Sequence, residues 1–317
     1  MLKLFSKNKQ SAGLVGLSVS DDRVLIAQVS RDSARGGDVP LLEKCSRQKL
    51  ESGSQAREVI TALVDSMVLN GARCNFVLSP RDYNLYMIEA PAVEDTELRS
   101  AVRWKIKDLL DMPVEDAAID IFPVPEDAFR GRAKMLYVVA SPRTRIEAII
   151  DLVASADLRL QSIDVPELAI RNITQQFLDD TNGLAFIDLR KAGSTMNLSR
   201  NSELYLTRKI STQLDADVMS SQDWETQRDR LVLEVQRSLD YYESQMGQDP
   251  ISQLVMAPRA ADSQEMAASL SEVMSIPVTV LDMSGKIELA EGIDQDVKRS
   301  CMVAIGAALR SDKAVAA

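Results

Sequence analysis

The chain contains one unit twice: an apolar strand that runs onto a polar residue, a short turn, and a second strand. It is read at LVGLSVS (14–20) and again at LAFIDLR (184–190), which places Ser18 and Asp188 at corresponding positions 170 residues apart. A lone hairpin cannot bury its apolar face until helices or more strands cover it. A duplicated hairpin therefore predicts two lobes about a cleft. The sequence between the hairpins agrees. Apolar residues at three- and four-residue spacing predict helices over 56–69, 94–110, 146–156, 166–178, 224–246, 263–274 and 297–310. Strand-like runs fall between them, at 24–30, 74–78, 119–124, 135–140, 158–165, 195–200, 203–210, 251–256 and 278–281. Strands followed by helices in two halves make the fold class α/β, with covered sheets.

Composition narrows the chemistry. A length of 317 residues suits about two ordinary domains, and 45% hydrophobic with 26% charged residues describes a soluble globular chain. The 37 Lys and Arg against 47 Asp and Glu leave a formal charge of −10, which repels phosphate backbones at long range and argues against nucleic acid as a main partner. There is no histidine. Ser-His-Asp and Cys-His catalysis and histidine-containing zinc sites are therefore excluded. Cys45, Cys74 and Cys301 are far apart and odd in number, as expected of buried thiols in a reducing compartment rather than a disulfide framework. Apolar stretches such as 148–154 stop well short of a bilayer span, and MLKLFSKNKQ leads into no sustained apolar core, so a cytoplasmic location is expected. Within that opening segment, Leu2, Leu4 and Phe5 beside Lys3, Lys7 and Lys9 fit either a solvated tail or a short membrane contact.

Several segments together carry a resemblance to a known family. The two hairpins, VRWKIKDLLDMPVEDAAID (102–120), SIDVPELAI (162–170), EVQRSLDYYESQ (234–245) and AIGAALR (304–310), in that order, resemble the PilM family of actin-like cytoplasmic proteins of type IV pilus assembly. The likeness is nearest to the MshI branch that serves mannose-sensitive haemagglutinin (MSHA) pili. The resemblance implies an actin-like ATPase fold of the duplicated ribonuclease H-like type, with an FtsA/PilM-type inserted subdomain. The first lobe would span 14–160 with the insertion at 79–160, the second 161–310, and the tails would be 1–13 and 311–317. In that family ATP sits between the lobes. A short cytoplasmic N-terminal peptide of a bitopic PilN-like inner-membrane protein lies in a groove beside the insertion.

A phosphate cleft needs glycines that let backbone N–H groups approach the phosphate oxygens, and a carboxylate for Mg²⁺ or its water. In the first hairpin the family's Asp-x-Gly is Ser18-Val19-Ser20, so both acid and glycine are missing, and Asp21 and Asp22 add negative charge where phosphate wants neutralising. In the second, Asp188 remains with Gly193, Ser194 and Thr195 downstream, but Arg190 replaces the glycine. The adenosine-loop segment VMAPRAAD (255–262) has Ala257, Pro258 and Arg259 in place of glycines. Two readings stand at each position. Asp188 is a metal-linked carboxylate or the cap of a turn. Arg190 grips a phosphate or fills the vacated site by pairing with Asp21, Asp22 or Asp188. Ser194 and Thr195 donate to phosphate or are plain strand formers. The losses favour a degenerate nucleotide site with no catalytic residue, no metal and no required cofactor; ATP/Mg binding is left open.

If the cleft is idle, surfaces carry the function. Tyr83 and Tyr86 on the strand before the insertion's helix, with Trp104, Phe129 and Tyr137, are candidates by resemblance to line the partner-peptide groove, although core duty competes at each. The expected function is an adaptor, not an enzyme. It would be recruited to the inner membrane by a PilN-like protein and joined to the assembly ATPase and platform protein of the pilus machine. The alternative is an ATP-binding or ATP-hydrolysing member of the actin/sugar-kinase superfamily.

Overall fold

The computed structural model describes residues 13–31, 39–51, 55–132, 134–190, 193–212, 214, 218–259 and 262–310. In chain order the first elements are strands β1 (Leu14–Val19), β2 (Arg23–Ser30) and β3 (Leu41–Lys49), helix α1 (Ala56–Ser66), and strands β4 (Arg73–Val77) and β5 (Asn84–Glu89). Helix α2 (Asp95–Lys105), strands β6 (Ala117–Pro123) and β7 (Met135–Pro142), helix α3 (Arg143–Ser155), strand β8 (Arg159–Asp164) and helix α4 (Pro166–Phe177) follow. The remainder is β9 (Leu184–Asp188), β10 (Ser194–Arg200), β11 (Glu203–Ile210), α5 (Trp224–Ser244), β12 (Gln253–Met256), α6 (Ser263–Ser271), β13 (Val278–Val280), β14 (Glu288–Leu289), α7 (Gln295–Ser300) and α8 (Met302–Ala308).

The chain groups into two compact units that interleave along the sequence. One takes the described residues up to 79 with 147–165 and 284–310; the other takes those of 80–146 and 166–283. Residues 284–310 go with the opening strands, and 80–146 go with the later sheet.

The first unit holds a six-stranded sheet in the order β14-β3-β2-β1-β4-β8. β1, β2 and β3 form an antiparallel meander, while β4 and β8 run parallel to β1. α8 lies directly on β1 and β2. Its sequence, MVAIGAA, is small enough for close approach, and Gly16 of β1 meets it: a Cβ there would fall 1.9 Å from the Ala304 carbonyl oxygen. The buried Asn75 of β4 donates from Nδ2 to the Ala307 carbonyl at 3.0 Å, satisfying one of the acceptors that a helix C-terminus leaves over. The closing helix expected over 297–310 is two helices, broken at Cys301. The Cys301 N–H reaches both Val297 and Lys298 carbonyls, and its thiol donates to the Ser46 carbonyl at 3.3 Å.

The second unit holds a five-stranded sheet, β11-β10-β9-β12-β13, and a three-stranded sheet, β5-β7-β6. In the small sheet alternation assigns the faces. Leu85, Phe122 and Tyr137 turn into the core shared with β9, β10 and α5, whereas Tyr86, Ile121 and Val138 turn to the cluster under α2. This shared core explains why residues 80–146 group with the later sheet. α5 buries Leu231, Val235, Leu239 and Tyr242, the three- and four-residue stripe that its sequence shows. α2 ends at Lys105 and passes into a 3₁₀ turn at Lys107–Leu109, shorter than the helix expected over 94–110.

Candidate functional site

The first hairpin closes on itself. At the β1–β2 turn Ser20 N–H donates to the Arg23 carbonyl at 2.9 Å, and Ser20 Oγ donates to Asp22 Oδ1 at 2.8 Å. Arg23 Nε donates to both carboxylate oxygens of Asp22, at 3.0 and 3.1 Å. The Arg23 hydrogen bonds pull the Asp22 carboxyl down to about 2, with Ser20 adding to the effect against partial desolvation. The charge expected to repel phosphate is thus largely answered by its own neighbour. Asp21 is exposed beside it, and Ser18 is half-buried.

The second hairpin is closed too, with a different partner. Asp188, at the end of β9, is only 6% exposed, and Arg190 Nε donates to both its oxygens at 2.8 and 2.7 Å. Of the three acids offered from sequence, Asp188 is the one that Arg190 engages in this way. The side chain does not point to open solvent. Ser194 Oγ bridges the same turn, accepting from Arg190 N–H at 3.1 Å and donating to the Arg190 carbonyl at 3.2 Å. Gly193, at φ +141°, donates its N–H to that carbonyl as well, and Thr195 pairs with Asp188 across the strands. Ser194 and Thr195 are buried strand residues here.

The third segment lies beside the second. β12 runs parallel to β9, and beyond its end Ala257 N–H donates to the Ile187 carbonyl at 2.8 Å. Arg259 donates from Nη1 to the Leu189 carbonyl at 3.2 Å, and its own N–H goes to Ser263 Oγ at 2.7 Å. Pro258 stands between them with no N–H to offer. Two guanidiniums, Arg190 and Arg259, therefore sit at the C-terminal ends of adjacent parallel strands, where an α/β sheet ordinarily presents a ligand site. Both are engaged with the protein's own oxygens. Among the described residues no three Cys, Asp or Glu side chains gather as a metal site would need.

The aromatic candidates divide. Tyr83 and Tyr137 are 4% and 2% exposed, so the structure corrects them from groove to core. Tyr83 donates its hydroxyl to the buried Glu167 carboxylate, at 2.8 and 2.6 Å to the two oxygens. The Tyr137 hydroxyl donates to the Tyr205 carbonyl at 3.3 Å and accepts from Thr207 N–H at 3.0 Å; burial pushes its acidity far below that of a free phenol. Phe129 packs against the core from a left-handed backbone position at φ +59°, and the half-buried Tyr86 donates to the Leu109 carbonyl at 2.9 Å. Trp104 alone of the five stands out, 66% exposed on α2, with Leu109 exposed nearby and the Lys107 ammonium 5.6 Å from its ring centroid.

One concavity was not anticipated. It measures about 450 Å³ and lies between Ser211 and Thr212 after β11 and the exposed side of α5, where Arg230, Leu233, Glu234 and Arg237 line it. The segment RLVLEVQR (230–237) carries this second stripe in plain view, at positions offset from the core stripe.

No family model matches the chain, and no curated protein matches it by sequence. Solved structures do match. A PilM-PilN type IV pilus biogenesis complex aligns over 95% of this chain and 98% of its own, at 16% identity and a TM-score of 0.73. A Bacteroides thetaiotaomicron protein of actin-like ATPase fold and unknown function aligns over 95% and 99%, at 9% identity and a TM-score of 0.52. The cytoplasmic domain of EpsL, an inner-membrane component of the Vibrio cholerae type II secretion system, aligns over 94% and 95%, at 10% identity and a TM-score of 0.50. With its duplicated hairpins and covered mixed sheets, the chain has the actin-like ATPase fold.

Proposed function

We propose that this chain is an actin-like adaptor of type IV pilus assembly, of the MSHA type, that binds the cytoplasmic N-terminal peptide of a PilN-like inner-membrane protein. The observation that carries the reading is the end-to-end likeness to the PilM-PilN complex. Among the described residues no helix is long and apolar enough to cross a membrane, so attachment to the inner membrane falls to the partner. The same machine's assembly ATPase and platform protein are the further partners of this reading.

In this proposal the nucleotide site is degenerate and the chain is not an ATPase. The Asp188–Arg190 pair supports it: the carboxylate that would hold Mg²⁺ is already neutralised by a guanidinium two residues beyond the end of the strand. Trp104 and Leu109 supply the exposed apolar surface suited to anchoring a peptide. The test is fluorescence anisotropy with the labelled cytoplasmic N-terminal peptide of a PilN-like protein. The expected result is saturable binding that W104A weakens about tenfold, a loss typical of an aromatic anchor. Absence of binding to the wild-type chain overturns the adaptor reading, while micromolar Mg-ATP affinity by calorimetry, or steady phosphate release, overturns the degenerate site.

A further inference from the structure

α5 has two useful sides. Its core side is accounted for by Leu231, Val235 and Leu239, but the side offset from it carries Arg230, Leu233 and Arg237, at i, i+3 and i+7, all exposed. Glu234 stands between the two arginines, four residues from one and three from the other, the spacings at which helix ion pairs ordinarily form. It makes neither pair. Its carboxylate instead accepts from Ser211 N–H at 2.7 Å, Thr212 N–H at 3.0 Å and Thr212 Oγ1 at 2.6 Å. Burial alone would raise this carboxyl, but the hydrogen bonds from Thr212 and Ser211 outweigh it and hold the group below its ordinary range.

The consequence is electrostatic. The acid that should silence Arg230 and Arg237 is occupied by the turn, so two guanidiniums face the 450 Å³ concavity with no ion pair or hydrogen bond to any described residue. A leucine, half exposed, lies between them. On a chain of net charge −10 this positive, partly apolar hollow runs against the overall field.

We propose that the concavity on α5 is a docking site for an extended acidic segment of a protein partner, read as two carboxylates flanking one apolar side chain. Charge complementarity selects the acid, and guanidiniums grip carboxylates through paired N–H donors. Spacing selects the register. Seven residues of helix rise about 10.5 Å, and positions i and i+4 of an extended chain, which face the same side, lie about 13 Å apart, a difference that two long arginine side chains take up. Two acids four positions apart therefore match Arg230 and Arg237, with the residue midway between them, on the same face of the peptide, set over Leu233. Ser211 and Thr212 line the opposite wall. This site shares no residue with the peptide anchor proposed around Trp104.

The experiment is anisotropy of the full chain with a labelled dodecapeptide containing Glu-Ser-Leu-Ser-Glu, against the same peptide with both acids changed to Gln. Expected are saturable binding of the acidic peptide, at least about tenfold loss with the Gln peptide and with R230E/R237E, and a smaller loss with R230K/R237K, which keeps the charge but not the paired donors and controls for folding. L233S should weaken binding while leaving its salt dependence intact. Equal binding by the charge-reversed chain, or none by the wild type, overturns the proposal. Binding of inorganic phosphate or a nucleoside triphosphate that R230E/R237E abolishes, with no peptide binding, overturns it in favour of a small anion.

Discussion

Asp22 and Asp188 both end up beside an arginine close in sequence, but with different exposure. Asp22 is more than half exposed beside Arg23, whereas Asp188 is buried under Arg190. Exposure sets what each pair is worth, because solvent screens the first. The folded-state pKa of Asp22, about 2, lies below the reference 3.8, so its carboxylate stabilises the fold above pH 3.8 and that contribution disappears as pH falls through 2. D22N should accordingly lower stability by less than about 0.5 kcal/mol at neutral pH, the range of a screened surface pair. The difference from wild type should vanish by pH 2, as read by urea unfolding at a series of pH values; a D22N deficit that grows on acidification would contradict the assignment. Arg190 standing where a glycine was wanted is plain in the sequence. Its partner is not, because Asp21, Asp22 and Asp188 answer the same charge argument and only the hairpin's geometry chooses. Tyr83 and Tyr137 were illegible for a similar reason: a tyrosine over a groove and one donating into a core look alike until the acceptor is known.

At the scale of elements, α8 approaches β1 closely at Gly16. An alanine at position 16 would drive its methyl into the Ala304 carbonyl, with the Ala308 nitrogen 2.9 Å from it as well, and neither is a flexible side chain that can move aside. G16A should therefore cost about 2–3 kcal/mol in chemical unfolding, the upper range for overpacking a filled core. Wild-type stability in G16A would mean that α8 stands farther from the strand. Long periodic elements were readable, α5 and the two hairpins above all. Short ones were not. β14 has two residues and no pattern, and the break at Cys301 depends on a thiol meeting the Ser46 carbonyl, 255 positions earlier in the chain. The Arg230–Leu233–Arg237 stripe was legible as spacing, but that Glu234 leaves it unpaired follows from the β11 turn alone.

For the whole molecule, the lesson concerns connection rather than pattern. Periodicity locates elements and says little about which distant segment completes a sheet, so the grouping of 284–310 with the opening strands needed coordinates. It also makes a prediction. Deleting 284–310 uncovers the α8 side of β1 and β2, and amide hydrogen exchange should show protection lost in β1, β2 and β4 while β9, β10 and β12 keep theirs. Protection persisting in β1 would show the closing segment to be dispensable.

That arrangement has a bearing on how the chain is made. The hairpin ending at Ser30 leaves the ribosome more than 270 residues before Met302 begins the helix that shields it. At translation rates of about 5–20 residues per second, the interval is roughly 14–55 s. Throughout that wait an apolar strand face is bare, so the nascent polypeptide should be a client of ribosome-associated chaperones, and its earliest-synthesised strands among the last to mature.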